Sequence, residues 1–94
     1  MEIELFLNDK YKLLKLLYDN QTTILNKKVI PLTQQEISFA LGMSKAKVNS
    51  LIGDLQENGY IALESRGKYV ILDKGKLTVE DFNKTEARLS KYSI

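Results

Sequence analysis

The sequence predicts a mainly α-helical domain with a small β-hairpin, its elements running in the order α-β-α-α-β-β-α. Three observations lead there. Leu32 to Tyr60, LTQQEISFALGMSKAKVNSLIGDLQENGY, holds two short windows of helical apolar spacing joined by a tight turn. The segments Tyr60–Glu64 and Tyr69–Asp73 read as paired strands around the loop Ser65-Arg66-Gly67-Lys68. Ahead of both, Leu7, Tyr11, Leu14, Leu17 and Tyr18 recur at helical spacing.

The first helix can be capped by Asn8 or Asp9 and runs to about Tyr18. Leu13 and Leu16 widen its apolar stripe beyond one packing face. Either the helix is central to a small core, or part of the stripe meets a second subunit. Residues 19–28, DNQTTILNKK, are mostly polar and read as a connector, with the helix able to continue into it around Ile24 and Leu25. Val29–Leu32 can form a short strand, which Pro31 confines to an edge or to a strand end.

Thr33 caps the second helix, and Glu36 three residues later completes a capping box. Ile37, Ala40 and Leu41 supply its inner face, Gly42 ends it as a left-handed cap, and Met43 plugs the turn. Ser44 caps the third helix, where Val48, Leu51, Ile52 and Leu55 point inward until Asn58-Gly59 stops it. In the hairpin, a four-residue loop puts Ile61 and Leu63 on the same face as Val70 and Leu72, over the core. After the turn Asp73-Lys74-Gly75-Lys76, Thr78 with Asp81 makes a capping box for a last helix carrying Val79, Phe82, Leu89 and Tyr92. One domain over 1–94 is expected, with a helix-turn-helix at 33–59, a wing hairpin at 60–73 and the last helix at 78–92.

Composition narrows the chemistry. Net charge is +2, mildly basic, which permits nucleic-acid binding without arguing for it. There is no histidine and no cysteine, so the usual general base, the thiol nucleophile and the commonest transition-metal ligands are absent. No phosphate-cradling GxxxxGK[ST] loop occurs either. Neither enzymatic activity nor a cofactor is expected. No apolar run approaches the roughly 18 residues of a membrane span, and the N-terminal MEIELFLNDK is acidic where a signal peptide is basic. A cytoplasmic protein without membrane contact is the expectation.

The third helix carries the functional signal. With its apolar residues turned inward, Lys45, Ala46, Lys47, Asn49, Ser50, Gly53 and Asp54 face largely outward. The leading half of that face is cationic, and Asp54 and Glu57 come later. A recognition helix enters the major groove by its N-terminal residues, so this polarity suits DNA. Lys45 and Lys47 can meet phosphates or guanine edges, and Asn49 has the amide geometry for adenine. Ala46 permits close approach or touches a thymine methyl, and Ser44 and Ser50 sit beside them. Gln34 and Gln35 stand at the start of the second helix, where free N–H groups favour a phosphate. At the hairpin tip, Arg66 can enter a minor groove while Lys68 meets neighbouring phosphate.

The string QQEISFALGMSKAKVNSLIGDLQENGYI resembles the winged helix-turn-helix of MarR-like and related bacterial transcription regulators. Glu36, Ile37, Ser38, Leu41, Gly42, Ser44, Val48, Leu51, Leu55, Gly59 and Ile61 match that pattern, Ser38 standing where alanine is usual. The resemblance implies that Lys45, Lys47, Asn49, Ser50 and Arg66 contact DNA, and that Ser38 acts as a small packing residue. The long flanking helices of that family are missing, so no small-molecule effector is expected.

The resulting expectation is a sequence-specific, double-stranded-DNA-binding transcriptional regulator, dimeric through its first and last helices. A winged-helix protein-interaction module, or a replication-associated protein of a plasmid or phage, is the alternative.

Overall fold

The computed structural model describes residues 8–64 and 68–90, with side chains through residue 85. Four helices, α1 (Asp9–Asp19), α2 (Gln34–Leu41), α3 (Lys45–Glu57) and α4 (Asp73–Ser90), carry two antiparallel hairpins. The hairpins are β1 (Thr22–Ile24) with β2 (Lys27–Val29), and β3 (Ile61–Leu63) with β4 (Tyr69–Ile71). The mainly helical winged architecture stands as expected.

Helix α1 is capped by Asn8, whose Oδ1 accepts the Tyr11 N–H at 2.8 Å. It is the centre of the fold. Leu13, Leu14 and Leu17 are completely or almost completely buried, Tyr11 is buried beside them, and the helix packs against α2, α3 and α4. The breadth of its apolar stripe is thereby largely used up inside the chain. Ile30, Ile37, Val48, Leu51, Ile52, Leu55, Ile61, Tyr69, Ile71 and Val79 complete the core. Each such side chain is worth about 1.5–3 kcal/mol of burial against full exposure.

The connector before α2 departs from the sequence reading. It holds one strand more: residues 22–29 form a hairpin, and β2 begins two residues earlier than the expected strand at Val29. Its turn is Leu25-Asn26, both at positive φ (52° and 66°), the two-residue geometry that matches strand twist. Leucine rarely occupies that conformation, so no turn signal stood in the sequence. Past β2, the Ile30 N–H donates to the Tyr69 carbonyl at 2.8 Å, tying the first hairpin to the second before Pro31 ends the pairing.

The second hairpin has a different register from the expected one. Ile61 faces Ile71 and Leu63 faces Tyr69, and the Glu64 N–H donates to the Lys68 carbonyl at 2.7 Å. The loop between them is therefore three residues, not four. One residue changes which side chains share a face: Tyr69 and Ile71 are buried, whereas Val70 is half-buried and Leu63 and Leu72 are exposed.

Helix α4 begins at Asp73, five residues before the expected cap at Thr78. Thr78 lies inside it, with its hydroxyl donating to the Lys74 carbonyl at 2.8 Å. Gly75, read as part of a turn, is a helical residue in close approach. A Cβ there would lie 2.5 Å from the Tyr60 carbonyl oxygen and 2.8 Å from Ile71 Cγ2. The glycine lets α4 dock against the wing base. Leu7, Arg66 and Tyr92 lie outside the described residues, and the side chain of Leu89 beyond those described.

Candidate nucleic-acid interface

The helix-turn-helix is assembled by local capping. Thr33 Oγ1 accepts from the Glu36 N–H and Glu36 Oε1 from the Thr33 N–H, both at 3.1 Å, closing the expected capping box. Gly42 ends α2 in the left-handed region at φ 64°. Ser38 does more than fill space: its hydroxyl donates to the Met43 carbonyl and so pins the turn between the helices. Ser44 then caps α3, its Oγ accepting the Lys47 N–H at 3.1 Å.

These caps fix the rotation of α3. Val48, Leu51, Ile52 and Leu55 are buried beneath it, and Ser44, Lys45, Ala46, Lys47, Asn49 and Ser50 are all exposed. Gly53 and Asp54 are half-buried instead of outward, and Lys10 of α1 reaches the Asp54 carboxylate at 3.5 Å. Lys45 has no ion-pair partner among the described residues. Lys47 is exposed but engaged, its ammonium held by the carboxylate of Asp9 in the first turn of α1. The hydrogen bond from Lys47 is the main reason the Asp9 carboxyl lies below the ordinary carboxylate range; slight burial opposes it, and the charges of Lys47 and Lys12 reinforce it.

Helix α3 has no acidic residue in its own first turn. Two lysines there oppose the positive end of the helix dipole, and Asp9 supplies an acid from outside. The same end favours an external anion for the same reason.

The two glutamines part company. Gln35 is exposed at the start of α2, in a shallow groove with Leu32, Thr33, Glu36 and Phe39. Gln34 is half-buried and points toward α3: its Nε2 donates to Asn49 Oδ1 at 3.2 Å and reaches the Tyr69 hydroxyl at 3.5 Å. On the wing, Lys68 is half-buried at the base of the loop, and Arg66 falls outside the described residues. Lys27 of β2 pairs with Glu64 at 2.7 Å, joining the two hairpins.

Sequence reasoning found the outward row of α3 and missed what leans on it. Nothing local marks Asp9 as the partner of Lys47, or Tyr69 as the buried end of the Gln34 contact, because both pairings span more than 30 residues. Among the described residues there is no group of His, Cys, Asp or Glu placed to hold a metal ion, and no helix long and apolar enough to cross a membrane.

Comparison with known proteins places this geometry. The model of the Crp-like helix-turn-helix domain matches residues 11–79. No curated protein sequence matches the chain. Among solved structures, a CRP/FNR-family transcriptional regulator from Thermus thermophilus is 25% identical with a TM-score of 0.64, over 81% of this chain and 41% of that one. The reduced CO-sensing protein of R. rubrum shares the fold at 23% identity and a TM-score of 0.65, over 82% of this chain and 39% of that one. A transcriptional regulator from Thermotoga maritima shares it at 21% identity and a TM-score of 0.58, over 97% of this chain and 66% of that one. The chain thus spans about 40% of the length of the first two. The winged helix-turn-helix stands, but the MarR-like branch is not the one these comparisons support. With 11–79 covered by the family model, the chain belongs to the Crp-like helix-turn-helix domain family.

Proposed function

We propose that the chain binds double-stranded DNA sequence-specifically as the DNA-reading part of a bacterial-type transcriptional regulator. Helix α3 enters the major groove, and the loop at 65–68 lies at the minor groove. The observation that carries this reading is the exposed cationic start of α3, Lys45 and Lys47, over a fully packed underside. Membership of the Crp-like family and the likeness to a CRP/FNR-type transcriptional regulator support it. Lys45, Ala46, Lys47, Asn49 and Ser50 face the base edges, Ser44 and Gln35 the flanking phosphates, and Arg66 and Lys68 the wing contact. Gln34 acts from behind Asn49.

The experiment is duplex binding by fluorescence anisotropy across a salt series. Log affinity should fall linearly with log salt, with a slope of about −0.9 for each phosphate neutralised. A protein that ignores duplex DNA at low salt refutes the reading.

Pairing of two copies would place half-sites about 34 Å apart, one helical turn. Because the apolar face of α1 is consumed within the chain, α4, with its exposed Leu77, is the better placed of the two helices to pair. Light scattering with and without duplex measures this directly. One observation favours a protein-binding reading instead: Phe39, on the outer side of α2, is 90% exposed. Single apolar residues on a surface are common, so it ranks second.

A further inference from the structure

Gln34, Asn49 and Tyr69 come from α2, α3 and β4 and meet through one nitrogen. Gln34 Nε2 stands 3.2 Å from Asn49 Oδ1 and 3.5 Å from the hydroxyl of Tyr69, which is buried. A primary amide nitrogen carries two hydrogens and no lone pair for accepting. Both hydrogens have an acceptor here, one on each neighbour. Turned the other way, the Gln34 carbonyl would face the Asn49 carbonyl, and only a simultaneous turn of the Asn49 amide would put a proton between them again. The buried Tyr69 ring anchors the arrangement from the wing side.

The consequence lies on the exposed side of Asn49. An asparagine free to present its whole amide reads adenine, donating to N7 while accepting from N6. Here Oδ1 is held back toward α2, so Asn49 shows its Nδ2 hydrogens to solvent. Lys45, one helical turn earlier on the same face, is also a pure donor. Guanine presents two acceptors, O6 and N7, on its major-groove edge, and no donor there.

We infer that Gln34 is a specificity-determining residue acting through Asn49: by holding the Asn49 carbonyl, it makes this position read the acceptor edge of guanine instead of adenine. This rests on the proposed entry of α3 into the major groove. Gln34 itself is a positioning residue and touches no base.

The test is selection of bound duplexes from a random library by the unaltered protein and by the Asn49→Ala, Gln34→Ala and Gln34→Glu variants, with the Tm of each recorded. The unaltered protein should prefer guanine at one base position, and Asn49→Ala should erase the preference at that position alone. Gln34→Ala frees the Asn49 carbonyl, so preference there should move toward adenine by about tenfold. Gln34→Glu keeps the shape but can only accept, which turns the Asn49 amide over and should likewise disfavour guanine. A Gln34→Glu protein that melts normally and keeps the guanine preference overturns the inference, as does an adenine preference in the unaltered protein. If Asn49→Ala changes no position while other positions remain selective, the inference fails and DNA reading survives. If the unaltered protein enriches no sequence, both fall together.

Discussion

Asp9 and Lys47 form an ion pair between the first turn of α1 and the first turn of α3. The contact does two things. It offsets a lysine placed at the positive end of a helix, and it partly neutralises a cation that the proposed DNA contact uses. Both groups are substantially exposed, so the pair is weak and a phosphate can displace the carboxylate.

Asp9→Asn should therefore strengthen binding to duplex DNA. A pair this exposed is weak, which limits the gain to roughly two- to fivefold. Anisotropy at fixed low salt measures it, and the gain should shrink as salt rises. Unchanged or weaker binding means Lys47 does not meet DNA.

The Asp9 carboxyl should titrate below the ordinary carboxylate range, as followed by carboxyl-carbon NMR. In Lys47→Ala it should return most of the way, since the Lys47 hydrogen bond is the largest cause of the shift. The sign for stability follows. A carboxylate with a depressed folded-state pKa stabilises the fold above its unfolded-state value and loses that contribution as pH falls through the folded-state value. Because Asp9 is at the surface, the effect on overall stability is small.

Much of this fold was legible because its signals are local. Thr33-x-x-Glu36, Gly42, Ser44 and Gly59 each state a helix end through their own backbone or side chain, and the structure puts the helix-turn-helix where they say. The misreadings have a common cause. Leu25 occupies a positive-φ turn position, Gly75 sits inside a helix, and the wing register hinges on one loop residue. In each case a tertiary contact overrode the local preference: pairing of β1 with β2, docking of α4 on Tyr60, and burial of Tyr69. The outward row of α3 followed from helical spacing, whereas the groups behind it, Asp9 and Gln34, are distant in sequence.

The turn at Leu25-Asn26 can be improved. Two residues at positive φ favour Asn-Gly, and Leu25 is 94% exposed, so its side chain contributes no packing. The double change Leu25→Asn with Asn26→Gly relieves left-handed strain and should stabilise the protein by about 1 kcal/mol in denaturant melts. A loss of stability would mean that Leu25 packs against something in solution.

Gly75→Ala should do the opposite. In an ordinary helix that change is favourable by up to about 1 kcal/mol, but here the methyl would collide with the Tyr60 carbonyl and Ile71. Overpacking of this kind costs about 1–3 kcal/mol. A fall in Tm of roughly 5–20 °C is the expected readout for a domain of this size, and a rise would refute the close docking of α4.

The most direct test of the DNA-reading surface is the affinity of Lys45→Ala/Lys47→Ala for duplex DNA, beside its Tm. Both lysines are exposed at the start of α3, so the account predicts a loss of more than about tenfold in affinity. It also predicts a Tm within about 4 °C of the unaltered protein. Equal affinity in a protein that folds normally would contradict the major-groove role of α3.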